Sequence, residues 1–223
     1  RDVAPSRGLG DVYKRQIPRR DEDSHDILGT FKVLSNRAEM MKTPTSPKEL
    51  FAILSHRHSM LLEGRPHMNP GLFKTRNNRA GMTEFVDYQL VKGTLSQGFK
   101  YYAALTDPFA RAIFMMFMIS EVHPFNDGNG RVARVMMNAE LVRADQSRII
   151  VPTVFREDYI LALRKLTRHK DPLAYINVMT KLHQFSDNLY GTDFTELKNY
   201  LAACNAYEEP SQAKLQIIER TII

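Results

Sequence analysis

HPFNDGNGRVAR, residues 123–134, decides how the rest of the chain is read. It follows PFARAIFMMFMISEV, residues 108–122, which is apolar nearly all round. A helix of that kind belongs in the middle of a bundle. Asp107 is its predicted N-cap and Pro108 its first residue. Pro124 ends it and biases His123 away from helical geometry. RVARVMMNAELVRA resumes as helix directly after Gly-Asn-Gly, so the order is helix, polar loop, helix.

The loop carries chemistry that a plain turn does not need. Glycines let the backbone approach a ligand and permit positive φ. Successive N–H groups ahead of a helix form an anion nest, so Gly128, Asn129 and Gly130 suit a phosphate. It is not a P-loop, because no strand precedes it and no Gly-Lys-Ser/Thr follows. Arg131 and Arg134 stand three apart in the first turn. There the helix dipole disfavours each cation by roughly 0.3–1 kcal/mol, and a polyphosphate would relieve both. Asp127 is a hard oxygen ligand suited to Mg²⁺ among phosphates. His123 titrates near neutrality and can take a proton. Phe125 anchors the loop in the core. A His-Pro-Phe stop alone, or an Asp-Gly-Asn-Gly turn alone, is commonly only structural. The two fused and followed by both arginines point to transfer from a nucleoside triphosphate to a hydroxyl, with His123 as base.

Working outward, most of the chain reads as helix. Ser46, Pro47 and Glu49 predict a capped helix over 46–63, with Leu50, Ile53, Leu54, Leu61 and Leu62 on its apolar face and Gly64 as a left-handed stop. Residues 65–100 carry Pro-Gly, Asn-Asn and Ala-Gly punctuation around short strand-like runs, which predicts a hairpin flap, with a short helix after it from SQGFKYYAAL. Further helices are expected from about Arg156, from Asp171–Pro172, and in the tail 191–223. The fold class is mainly α, with one β-hairpin. Residues 1–45 read as an N-terminal extension, of which 1–16 show no period and stand outside the fold. Residues 46–185 are the domain, and 186–223 a C-terminal helical extension. His56 and His58, two apart, do not share a face as metal ligands would and read as a solvated face. Met115, Met116 and Met118 read as core filling.

Composition fits a soluble globular protein: 43% hydrophobic and 25% charged over 223 residues. The formal net charge of +6 favours phosphate-bearing or acidic partners, yet no long Lys/Arg block or RNA-type aromatic motif accompanies it. Cys204 is the single cysteine, which excludes an internal disulfide and a cysteine-based zinc site. Residues 1–20 contain no apolar signal core, and no run is long enough to span a bilayer. A cytoplasmic protein with no membrane contact is the expectation.

The stretch resembles the signature of the Fic family, His-x-Phe-x-Asp/Glu-Gly-Asn-Gly-Arg-x-x-Arg, at every specified position from His123 to Arg134. The LVRADQSRIIVP and FREDYILAL segments are similar too, and the likeness covers roughly residues 46–185. It implies a Fic-type helical bundle with a β-hairpin flap near Gly71–Asp87. It implies transfer of AMP from ATP, with Mg²⁺, to a Ser, Thr or Tyr hydroxyl of a target protein. His123 would be the general base, Asp127 the metal ligand, and Gly128, Asn129 and Gly130 the anion hole. Arg131 would contact the phosphates and Arg134 the γ-phosphate. SMLLEG, Ser59–Gly64, is similar to the family's inhibitory pattern. Ser59 and Glu63 share a helical face, and Glu63 paired with Arg134 would hold the enzyme off. Alternatives on the same fold are removal of AMP from a modified protein, a Doc-like phosphotransferase, against which Gly128 argues, and a nucleotide-sensing regulator without catalysis. Nucleic acid is not the expected partner, since no helix-turn-helix follows the core. A homodimer is compatible with the sequence but not indicated by it.

Overall fold

The computed structural model describes residues 21–81 and 83–220. The expectation for residues 1–16 lies outside them. Nine α-helices and one hairpin are seen among the described residues: α1 Asp21–Ser35, α2 Arg37–Met40, α3 Pro47–Leu61, β1 Arg79–Ala80, β2 Thr83–Glu84, α4 Val91–Ala104, α5 Pro108–Val122, α6 Asn129–Arg143, α7 Arg156–His169, α8 Pro172–Asp187 and α9 Phe194–Ala203. Short 3₁₀ turns stand at Pro66–Met68, Tyr88–Leu90 and Thr153–Phe155.

The expected caps form. Ser46 Oγ accepts from Glu49 N–H at 3.2 Å and Asp107 from Ala110 N–H at 2.7 Å. The capping box is displaced by one residue, because the Glu49 carboxylate takes Thr45 N–H at 2.8 Å rather than that of Ser46. Gly64 is not the stop: α3 closes at Leu62, which is not left-handed.

α5 and α6 form the centre. Ala112, Ile113, Met115, Met116 and Ile119 of α5 meet Val132, Ala133, Val135, Met136 and Met137 of α6, all buried. The methionine cluster is core, as its spacing predicts. α4 is longer than the SQGFKYYAAL expectation, and Gly98 explains how it lies so close to α5: a Cβ there would come within 2.5 Å of Met118 Sδ. α7 and α8 pack on each other, with Tyr175 of α8 donating its hydroxyl to Ile113 O of α5 at 2.9 Å, while α2 and α3 pack on α6. α1 was not foreseen as a helix. The tail departs from its all-helical expectation, since helix stops at Ala203 and residues 204–220 turn back as irregular chain, with Gln216 N–H on Cys204 O at 3.1 Å.

One buried ionic group braces α3 against α2. Arg57 is fully buried, with Nε 3.2 Å from Glu39 Oε1 and Nη2 on the carbonyls of Glu39 (2.6 Å) and Lys42 (2.8 Å). Among the described residues no helix is long and apolar enough to cross a membrane.

Candidate active site

α5 ends at His123, whose backbone is left-handed at φ 49°. That geometry turns the imidazole out of the helix and starts the loop. A non-glycine residue held there carries strain of order 1 kcal/mol or more, which the surroundings must enforce. Three contacts do so. His123 Nδ1 lies 2.9 Å from Ser120 O, a pure acceptor, so Nδ1 carries the proton and Nε2 is the basic nitrogen. Phe85 of the flap stacks on the ring at 3.6 Å between centroids and 5° between planes. Asn78 Nδ2 donates to Phe125 O at 2.9 Å and fastens the base of the flap to the loop. Burial lowers the His123 pKa; the Ser120 carbonyl opposes this and the nearby Lys74 ammonium adds to it. A neutral imidazole near pH 7 is the form a general base needs.

The loop itself is built around two residues. Phe125 is fully buried. Asn129 Oδ1 accepts from Phe125 N–H and Asn129 Nδ2 donates to Phe125 O, each at 2.8 Å. The Asn129 side chain is therefore spent on the loop, and only its N–H is left to a ligand. Gly128 is left-handed at φ 74°, and a Cβ there would meet Leu62 Cδ1 at 3.2 Å and His58 Nε2 at 3.4 Å. The positive φ is what favours glycine here, and the Leu62 methyl would have to give by a few tenths of an ångström for a Cβ. The N–H groups that open α6 have no acceptor inside the helix and border a cleft of about 330 Å³. His123, Asp127, Gly128, Asn129, Gly130, Arg131 and Arg134 all line it, together with Arg79 of the flap. The structure thus brings together every residue expected of the loop.

Asp127 Oδ1 accepts from Gly128 N–H at 2.6 Å, and Oδ2 lies 2.8 Å from Arg65 Nη1. Burial pushes its carboxyl up, but the Gly128 bond and the Arg65 and Arg131 charges outweigh this and hold it below the usual carboxylate range. Among the described residues no three His, Cys, Asp or Glu side chains gather into a metal site. Asp127 is the acidic residue of the cleft. One carboxylate suits Mg²⁺, which commonly takes its remaining oxygens from phosphates and water.

Ser59 and Glu63 are not part of this group. Ser59 Oγ donates to His56 O at 2.7 Å. Glu63 is exposed and pairs with Lys32 of α1 at 2.8 Å. The expected Glu63–Arg134 pair is not made, because Glu63 lies past the end of α3 on the α1 side.

His58 corrects the reading of a solvated face, since it is fully buried. Its Nδ1 accepts from Gly71 N–H at 2.9 Å, so Nε2 carries the proton and donates to Asp127 O at 3.0 Å. Its ring stacks on Phe125 at 3.8 Å. One neutral histidine thereby ties the chain before the flap to the loop. Burial pushes its pKa down to about 4 from 6.5. Between those values the unfolded chain binds a proton that the folded one does not, so stability is full above pH 6.5 and falls as pH drops toward 4. At about 1.36 kcal/mol per unit this amounts to roughly 3 kcal/mol. Replacing His58 with Gln is expected to flatten that part of the pH dependence of the urea midpoint. An unchanged slope would show that His58 does not titrate on unfolding.

Sequence reasoning also missed Phe85, Asn78, Arg65 and Asp26. Asp26 of α1 pairs with Arg131 Nη1 and, at 3.1 Å, with Arg65 Nη1. None of these residues lies in a motif; an Asn-Asn pair was the sole visible signal, and it read as a turn.

Residues 44–141 match the family model described as Fic/DOC family. A 110-residue stretch is 39% identical to protein adenylyltransferase fic-1 of Caenorhabditis elegans, covering 49% of this chain and 22% of that one. Another, of 89 residues, is 30% identical to protein adenylyltransferase Fic of Drosophila willistoni, covering 40% and 18%. The chain therefore spans about a fifth of the length of these curated relatives. Among solved structures, Fic-1 (aa134 - 508) from C. elegans superposes with a TM-score of 0.61 at 18% identity, over 92% of this chain and 55% of that one. A Fic domain containing signaling protein from Bacteroides thetaiotaomicron gives 0.59 at 15% identity, over 82% and 70%. These show the Fic fold, a helical bundle with a small hairpin.

Proposed function

We propose that this chain transfers AMP from ATP to a Ser, Thr or Tyr hydroxyl of a target protein. The observation that carries the proposal is the commitment of His123 Nδ1 to Ser120 O, which leaves Nε2 as a base in the same cleft as the Gly128–Arg131 loop. The names of the adenylyltransferase relatives support the same reading. In this scheme the triphosphate lies along the N–H groups of Asn129 and Gly130, with Arg131 and Arg134 on its outer phosphates. His123 Nε2 takes the proton of the target hydroxyl as its oxygen attacks the α-phosphorus. The bond from that phosphorus to the bridging oxygen breaks and pyrophosphate leaves. The carbonyl of Ser120 stabilises the imidazolium through Nδ1–H. Asp127 would hold Mg²⁺, which when bound supplies charge neutralisation at the phosphates. The hairpin edge would align the target segment by strand pairing, with Phe85 closing over the base.

The test is chemical. Cell extract is incubated with the protein and Mg·ATP, and modified peptides are identified by mass spectrometry. Adenosine monophosphate esters on Ser, Thr or Tyr are the expected product. Phosphate monoesters alone would favour the phosphotransferase alternative.

A further inference from the structure

We infer that the groove between α7 and α8 docks an acidic segment of the target protein, beside the hydroxyl that is modified. The target's fate rests on the adenylyl-transfer reading; the chemistry of the groove does not. LRKLTRHK, residues 163–170, holds four Lys or Arg residues and no Asp or Glu. All four cations are exposed, and among the described residues none of them pairs with a carboxylate. Arg168 stands in the last turn of α7, where the helix dipole favours a cation. Arg164 and Lys165 stand before that turn and lack this reason. Arg164 and Arg168 are also like charges four apart on one face, an arrangement that destabilises an isolated helix. An anion lying across both would relieve it.

Arg164, Lys165 and Arg168 line a groove of about 470 Å³ whose base includes the buried Phe155 and Ala162. Leu161 lines it too and is 54% exposed, so the groove offers apolar contact beside its positive charge. Its place ties it to the reaction. Arg168 Nη2 lies 3.5 Å from Thr83 Oγ1 of the hairpin. Thr167 Oγ1 donates to Glu121 Oε1 at 2.7 Å, two residues before His123. The groove therefore begins beside the flap and runs back along α7 to Asp158. Ten helical residues span about 15 Å, which four or five extended residues would cover. A target segment paired to the hairpin can continue into it, with acidic side chains on the cations and an apolar one against Leu161. Nucleic acid fits less well. Asp158, the carboxylate of the lining, would repel phosphates at the far end, and Phe155 is too buried to stack on a base.

Fluorescence anisotropy on the full chain, without nucleotide, measures binding of a labelled peptide in which Glu and Leu flank a central Thr. Affinity should fall as salt rises. Arg164→Glu/Lys165→Glu is expected to weaken binding roughly tenfold. Lys48→Glu/Lys198→Glu makes the same change in net charge on α3 and α9 and should bind like the unaltered chain. Leu161→Ser, at an exposed position, should weaken binding about threefold through apolar contact alone. No binding of the acidic peptide, equal losses in the two charge-reversed variants, or equal binding of a Lys-flanked peptide would each overturn the assignment. Single-stranded DNA that binds more tightly than the peptide, and is lost with Arg164→Glu/Lys165→Glu, would give the groove to nucleic acid instead. The extract experiment supplies the second readout: AMP-modified peptides should carry Asp or Glu beside the modified hydroxyl, and the Arg164→Glu/Lys165→Glu variant should lose that preference. Peptide binding with no AMP-modified product would sink the adenylyl reading and leave the groove standing. AMP-modified product with neutral flanks would do the reverse.

Discussion

Replacing His123 with Ala is expected to lower the rate of AMP transfer by about 10²–10⁴-fold, the usual range for loss of a positioned general base. The effect should fall on kcat. Nucleotide affinity should change little, because the loop is held by Asn129, Asn78 and His58 and not by the imidazole of His123. The same reasoning predicts the pH profile. Burial and the Lys74 charge hold the His123 pKa below its ordinary value, so the rate should rise with pH through a midpoint lower than that of a free histidine and then level off near neutrality. Initial rates across pH, with nucleotide affinity measured separately, check both statements. A variant that keeps its rate but loses affinity would make His123 a binding residue and not the base.

Replacing Glu39 with Ala is expected to cost about 3–5 kcal/mol, the penalty for leaving one member of a buried ion pair alone. Arg57 is fully buried and Glu39 nearly so. Without the carboxylate, Arg57 Nε loses its acceptor, while Nη2 keeps the two carbonyls. For a chain of this size that cost corresponds to a fall in Tm on the order of 10 °C. Burial raises the Glu39 pKa, but hydrogen bonds and charge from Lys42 and Arg57 more than offset it and lower the value. The stabilisation is therefore present above the unfolded carboxyl pKa of 4.5 and lost as pH falls through the lower folded value. Glu39→Ala/Arg57→Met should be less destabilised than Glu39→Ala, since removing both charges leaves neither stranded. Thermal unfolding of the single and double variants decides this. A double variant worse than the single one would mean that Arg57 acts through packing and not through its charge.

What the sequence made legible follows from how local each signal is. The centre of the bundle was readable because α5 is apolar over four turns and the ends of α5 and α6 carry Asp107, Pro108, Pro124 and Gly128, each acting on its own backbone. The loop was readable because its functional groups lie within twelve consecutive residues. The hairpin was visible only as turn punctuation, since two-residue strands have no alternation to detect. What stayed hidden depends on pairing across the fold. His58 and Asp127 are 69 residues apart and meet through a carbonyl, which no side-chain pattern encodes. α1 was missed because its apolar face is short and interrupted, with Ile27, Leu28 and Phe31 left outside. Glu63, an anion past a helix C-terminus, does want a cation. Lys32 on an unforeseen helix supplies it instead of Arg134.

In the proposed reaction the α-phosphate of ATP is transferred and the γ-phosphate is not. The most direct measurement incubates the unaltered chain, Asp26→Asn and His123→Ala with Mg²⁺, acceptor protein and ATP labelled at one position or the other. Label is expected to enter protein from the α position alone, in the unaltered chain and Asp26→Asn, and in neither labelling with His123→Ala. Label from the γ position alone, or label that survives His123→Ala, would contradict it.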